Sequence, residues 1–402
     1  MYLLYIDPGT GSMLFSVFIG LAAASYFLFR TLILRLKTLF LGKREALKNK
    51  CDFVIYNEGA HYWPVFCNIL DEFEKREIEL LYLTSVENDA IFKKNYKYIH
   101  SKCIGSGNKA FKTLNFLETS VFLLTTPGLE VYQLKKSKLC KHYSHILHDT
   151  GDATCYRLFG IDWYDSILLS GEYQKKDIIA LEKMRLMPEK ELIVVGSTYL
   201  DYYHSKIREL PVEKENCFTV LISPSWGSGA LLNVFGEKLL DNVKNPDWRI
   251  IIRPHPQSKT SESELLKRLE AQYPSYIWDY ESENIDSLSK ADIMISDFSS
   301  IIFDYTFLFD RPVIYHNASF NKDMYDAGDL EDVPWKFSAV KRFGIELFEQ
   351  DLPNLKNIIY KAVSDTSLSA ERIKAKEIAW EKIDNSAKLV VDSLVKIKEK
   401  LL

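Results

Sequence analysis

Four short polar clusters interrupt apolar runs in this chain, and each holds side chains able to handle a phosphate or a proton. The first is Arg253-Pro254-His255-Pro256. A guanidinium forks two hydrogen bonds onto a phosphate, and an imidazole donates to a phosphate oxygen or protonates a leaving one. The flanking prolines stiffen the turn that aims them. The plain alternative is a strand-end turn with an exposed histidine. The second cluster, SDFSSIIFDY, runs from Ser296 to Tyr305. If it opens a helix, Ser299 and Ser300 lie where free N–H groups and the positive helix end attract anions. Asp297 or Ser299 would otherwise only cap that helix, and Asp304 reads as a structural partner. The third is SPSWGSG, Ser223 to Gly229, in which Ser225 and Gly227 permit close backbone approach and Trp226 either stacks on a base or packs.

The fourth cluster is HDTGDA, His148 to Ala153. His148 reads as a base that takes a proton from a hydroxyl, with Asp149 or Asp152 to orient it. Glu58 and His61, in NEGAHYW, read either as the acceptor side of the same cleft or as structural residues. His142, His145 and His148 raise a metal reading. On a strand His145 would point away from the other two, and no Cys or carboxylate motif completes a site, so no metal centre is expected.

These clusters need a scaffold that presents loops on one side. Buried-strand patterns span Cys51–Tyr56, Glu79–Leu83, Ser120–Thr125, Ser144–His148, Ser166–Ser170 and Leu192–Gly196. A second series spans Cys217–Ser223, Trp248–Pro254, Ala291–Ser296 and Arg311–His316. Amphipathic stretches such as Pro64–Arg76 and Ser261–Gln272 separate them. Strands alternating with helices predict parallel sheets covered on both faces. The polar stretch Ser197–Glu215, with Pro211, reads as the linker between two Rossmann-like halves. The tail from Ser367 to Leu402 is charged and helical in period. No G-x-G-x-x-G opens either half, which argues against a dinucleotide cofactor. Ligands of such sheets bind beyond the carboxyl ends of the strands, and the four clusters all follow strands.

The N-terminus is different in character. From Pro8 to Phe29 no residue is charged, long enough for a helix to cross a bilayer. Arg30, Arg35, Lys37, Lys43 and Arg44 come directly after it, and no Lys or Arg precedes it, so the positive-inside rule places the chain from Arg30 onward in the cytoplasm. The missing basic n-region argues against a cleaved signal peptide. A single-pass anchor in the cell membrane is expected, giving segments 1–44 (anchor and basic flank), 45–205 and 206–402. The net charge of -4 argues against a general nucleic-acid binder. Six irregularly spaced cysteines give neither a disulfide framework nor a zinc site.

Arg253-Pro-His-Pro, followed by ADIMISDFSSIIFDYTFLFDRPVIYH, resembles the CDP-glycerol glycerophosphotransferase family of teichoic-acid enzymes. The resemblance covers Phe218 to Asn317. It implies a GT-B-like α/β fold of two facing Rossmann-like domains, with the donor nucleotide in the second. It further implies that His255 contacts the donor pyrophosphate and that Ser299 and Ser300 bind its phosphates. Arg253, Asp297, Ser225, Trp226 and Gly227 join them as donor-binding candidates. The family's His-Gly-Thr-Pro motif, whose His is the base, is matched by His148, where this chain reads His-Asp-Thr-Gly. The function this implies is transfer of a polyol-phosphate from a CDP-activated donor to a hydroxyl of a glycan or lipid-linked acceptor at the membrane, releasing CMP. No cofactor is expected, and a loosely bound Mg²⁺ is compatible with the chemistry. A nucleotide-sugar glycosyltransferase on the same fold and an inactive membrane-bound binding protein are the alternatives, and a nucleotide-sugar epimerase is a weaker third.

Overall fold

The apolar runs form two parallel sheets. The computed structural model describes Ser25, Tyr26, Phe29 and residues 51–148, 150–209, 217–281, 283–317 and 322–402. The anchor expected over Pro8–Phe29 thus lies outside the described residues, those three apart. Among the described residues no helix is long and apolar enough to cross a membrane.

The first sheet contains β1 (Phe53–Asn57), β2 (Leu80–Thr84), β3 (Ile99–Cys103), β4 (Thr119–Leu124), β5 (Cys140–Ile146), β6 (Ser166–Leu169) and β7 (Glu191–Val194). Their order is β3-β2-β1-β4-β5-β6-β7. The second contains β8 (Phe218–Ile222), β9 (Trp248–Ile252), β10 (Ile277–Trp278), β11 (Ile293–Ser296), β12 (Val313–Tyr315) and β13 (Gly344–Glu346), ordered β10-β9-β8-β11-β12-β13. Every paired strand is parallel to its neighbour, with Ile55 beside both Tyr82 and Leu123 in the first sheet and Leu221 beside both Ile251 and Met294 in the second. Central strands are covered on both faces, which is why β1 and β2 are apolar or fully buried along their whole length. Three strands escape the sequence reading: β3, β10 and β13. All are edge strands, and an edge need not be apolar, as IHSKC in β3 shows.

Both sheets reverse direction of growth once, between β1 and β4 and between β8 and β11. At such a switch point the loops leaving neighbouring strands diverge and open a crevice. The two crevices hold the candidate residues.

Two connections differ from the sequence reading. Most of the expected linker is a helix, Thr198–Glu209, which buries Leu200 and Tyr203. Its charges had masked a helix whose apolar side packs on both domains: Tyr199 and Leu200 lie in the core beside β11, and Tyr199 also packs against the core beneath β1. The last helix, Ser386–Lys400, returns to the first sheet. Val390, Val391, Leu394 and Ile397 form one stripe against the core around Ile55 and Val121. Arg76–Asp392 at 2.6 Å and Lys398–Asp52 at 2.8 Å flank it.

The domains also meet through buried charge. Arg185 bridges Asp162 of the first domain (2.7 Å) to Asp326 (2.8 Å) and Asp329 (2.6 Å) of the second. Asp326 also accepts from the N–H groups of Phe159 and Gly160. The three carboxylates compensate the burial of the Arg185 guanidinium, as a buried charge requires.

Candidate functional site

The second crevice lies beyond β8, β9 and β11, three adjacent strands. The loop after β8 carries Ser225, Trp226 and Gly227. The turn after β9 carries Arg253 and His255. The segment after β11 carries Asp297, Ser299 and Ser300. The sheet order therefore brings every donor-side candidate to one end of one sheet.

Asp297 ties two of these segments together. Its carboxylate, 1% exposed, accepts from Ser225 N at 3.0 Å, Leu231 N at 2.9 Å and Ser299 N at 3.2 Å. Burial raises its pKa, opposed by these hydrogen bonds. With its oxygens turned to backbone, Asp297 holds the loops rather than the ligand, a correction to its expected donor-binding role. Gly227 has φ +97 and open space where a Cβ would stand, so the backbone here needs glycine for its torsion alone. Its N–H donates to Glu262 Oε1 at 2.7 Å, and Asn233 Nδ2 meets the same oxygen at 2.6 Å. Trp226 stands out from this loop, 46% exposed, with its ring centroid 6.4 Å from that of His255.

His255 is fixed by its own turn. Its Nδ1 accepts the N–H of Gln257 at 3.1 Å. A ring whose Nδ1 accepts must carry its proton on Nε2 when neutral. Burial lowers its pKa, opposed by Glu262, so the neutral Nε2–H form is favoured. Arg253 behaves otherwise. Its Nη1 is paired with Asp279, and its Nη2 donates to the Glu281 carbonyl at 2.8 Å. Burial pushes Asp279 up, but Ser287, the Glu281 N–H and Arg253 together hold it below its usual value. The fork expected to face a phosphate faces the end of β10 instead, because a carboxylate on the neighbouring strand reaches it first. Ser300 caps the helix Ile301–Phe309 through its backbone position, without a side-chain cap hydrogen bond. A helix N-terminus with hydroxyls beside it can receive an anion. Asp304 accepts from Tyr199 of the bridging helix at 3.0 Å.

The first crevice lies beyond β1, β4 and β5. Glu58 follows β1 and accepts from Thr126 Oγ1, after β4, at 2.7 Å. His61 is held below the usual imidazole value by loss of water around its ring and by the nearby His148, with Glu58 acting in the opposite sense. Tyr62 meets His148 edge-on, centroids 5.0 Å apart. Glu58, His61 and His148 therefore share one neighbourhood. His148 lines a cleft of about 300 Å³ with Tyr62, Tyr132, Tyr156, Arg157 and Tyr325. Tyr325 comes from the second domain, where the segment around it pairs with Arg157.

Two expectations here are corrected. Asp152 does not orient His148. Its oxygens accept from Trp335 N (2.8 Å) and Lys336 N (2.9 Å), so it caps the helix Trp335–Phe343 across the domain boundary. His145 does not point away from His148: both rings approach the Tyr156 hydroxyl. β5 ends at Ile146, so strand alternation stops before His148 is reached. His142, further back, contacts Ser166 Oγ at 2.8 Å. Asp149 lies outside the described residues. Among the described residues no three His, Cys, Asp or Glu side chains are placed to hold a metal ion. Sequence reasoning missed Thr125, Tyr156 and Tyr325. Only Thr125 gave a signal, as half of a threonine pair directly after an apolar strand.

Residues 163–340 match the family described as CDP-Glycerol:Poly(glycerophosphate) glycerophosphotransferase. No curated protein sequence matches the chain. Among solved structures, the wall teichoic acid polymerase TagF, in a form soaked with CDPG, superposes with a TM-score of 0.57 at 15% identity, covering 96% of this chain and 99% of that one. A UDP-GlcNAc 2-epimerase from Neisseria meningitidis bound to UDP-GlcNAc superposes with a TM-score of 0.56 at 14% identity, covering 86% of this chain and 99% of that one. At such identities these likenesses establish the fold, the GT-B-like pair of α/β domains.

Proposed function

We propose, from the match of residues 163–340 to the CDP-glycerol glycerophosphotransferase family, that this chain transfers a polyol-phosphate from a CDP-activated donor to an acceptor hydroxyl in teichoic-acid synthesis. The observation that carries this reading beyond the family is the pairing of two histidines of different character at two crevices. His255 is held as an Nε2–H donor among phosphate-compatible loops. His148 sits in an aromatic cleft with polar partners on its Nδ1.

The acceptor oxygen attacks the β-phosphorus of the CDP-polyol, and its proton passes to His148. The bond from that phosphorus to the bridging oxygen breaks, and CMP leaves with the electron pair. The Nε2–H of His255, the N-terminus of Ile301–Phe309 and the hydroxyls of Ser299 and Ser300 receive the negative charge. Phosphoryl transfer asks a protein mainly for positioning and for stabilisation of that charge. Trp226 supplies an exposed ring for the cytosine. Arg253 acts at one remove by fixing the turn that aims His255. The acceptor is a glycan or lipid-linked hydroxyl, and a membrane anchor over Pro8–Phe29 would hold the enzyme beside it with its site on the cytoplasmic face.

The test is release of the leaving nucleotide, CMP from a CDP-polyol or UDP from a UDP-sugar, by the purified chain given CDP-glycerol, CDP-ribitol or UDP-sugars, each with a membrane-lipid extract. Release from a CDP-polyol only, lost by at least a hundredfold in His148→Ala and in His255→Ala, is expected. Release from a UDP-sugar instead, or full activity in both variants, overturns the reading.

A further inference from the structure

His145 is a titratable group that the reaction above leaves unused. It is wholly buried on β5. Burial, with His148 nearby, pushes its pKa down to about 3, so the ring stays neutral. Its Nε2 lies 3.4 Å from the Tyr156 hydroxyl, with the two rings nearly perpendicular at 88°. The same hydroxyl lies 3.0 Å from His148 Nδ1, and Thr125 Oγ1 is also 3.0 Å from that nitrogen. A chain of polar side chains thus runs from the core to the cleft. We infer that Tyr156, backed by His145 and helped by Thr125, is a positioning residue that keeps the proton of His148 on Nδ1 and its Nε2 lone pair available for the acceptor hydroxyl.

The direction belongs to the inference: it takes His145 as the Nδ1–H tautomer, in which Nε2 is the acceptor facing Tyr156. Tyr156 O–H then donates to His145, which leaves the phenol oxygen as an acceptor toward His148. His148 Nδ1–H donates to that oxygen, with Thr125 Oγ1 as a second acceptor. A base working through Nε2 needs this tautomer, a task that a carboxylate performs in the Ser-His-Asp arrangement. An acceptor at Nδ1 also stabilises the imidazolium more than the neutral ring, because the cation is the stronger donor. Among the described residues, other groups near His148 include His61, Glu58 and Tyr62 after β1, and Cys155, Arg157, Tyr132 and Tyr325 around the cleft. Glu58 favours the imidazolium, whereas Arg157 and a protonated His61 oppose it.

This inference rests on reading His148 as the base, so its test has one readout that needs no turnover. In the full chain labelled with ¹⁵N-histidine, the His148 ring is expected in the Nδ1–H form. Tyr156→Phe, which keeps the ring packing, should convert it to a mixture or to Nε2–H. With CDP-glycerol and lipid extract, Tyr156→Phe should lower kcat by about tenfold, leave the donor KM unchanged and move the acid limb of kcat/KM to lower pH. Thr125→Val should move both readouts in the same direction by less. Unchanged His148 nitrogen shifts in Tyr156→Phe would overturn the inference even if His148→Ala is inactive. Full turnover by His148→Ala would instead remove the base reading, while the nitrogen shifts still report on the chain of hydrogen bonds.

Discussion

Arg253 and His255 stand two residues apart in one turn, and the structure gives them different work. The sequence presents both as phosphate ligands. The guanidinium is taken by Asp279, and each side chain is only 11% exposed. Removing one partner of such a pair strands the other charge away from water, at a cost of about 3 kcal/mol. Arg253→Ala should therefore lower stability by about that much, read as a shift of the denaturant midpoint, and Asp279→Ala should match it. A loss of donor binding in Arg253→Ala at unchanged stability would instead put the guanidinium on a phosphate. His255 differs because its partner is a backbone N–H two residues on. Such a contact sets the tautomer without using the atom that faces outward.

Among the elements, the loop after β8 shows how a candidate ligand surface is held without a regular element of its own. Asp297, at the end of β11, collects the N–H groups of Ser225 and Leu231 from one side and of Ser299 from the other. Glu262 holds Gly227 and Asn233 at the tip. At Gly227, φ is +97 and nothing lies within 4 Å of a Cβ, so alanine meets strain and no clash. Gly227→Ala should cost about 1–2 kcal/mol locally and appear as a roughly tenfold higher KM for the donor at little change in kcat. An unchanged KM would mean that this loop does not touch the donor. The serine block and the glycine loop were both legible in the sequence. Their dependence on Asp297 was not, because the sequence shows an acid beside a helix start and cannot show that its oxygens reach a strand away.

For the whole molecule, the candidate site residues lie on two domains, and buried acids join those domains. Asp152 of the first domain caps Trp335–Phe343 of the second. Burial raises its pKa from 3.8 to about 6, although Lys336 and the two N–H groups pull it down. A raised carboxyl favours the folded state fully below its unfolded value, and that contribution is lost as pH rises through about 6. The wild-type chain should therefore lose stability between pH 4.5 and pH 7.5 relative to Asp152→Asn, by up to about 2 kcal/mol. Parallel stability curves for the two proteins over that window would contradict it.

The sequence by itself determined what local patterns encode. Apolar runs separated by amphipathic stretches gave the central strands of two parallel sheets, since strands covered on both faces must be apolar throughout. The clusters at their ends were legible too, because loops of such sheets leave the same side. Tertiary structure alone decided which polar groups reach each other. It placed Asp279 on Arg253, Asp152 on a helix of the other domain and the last helix on the first sheet. It also brought Tyr156 and Tyr325 to His148, from loops that carry no periodic signal. Hydrogen bonds and ion pairs act over about 3 Å, whereas most of these partners are far apart along the chain, and the assembly of the elements brings them within that range. Tyr156 lies only eight residues from His148, and the path of their own loop brings it back.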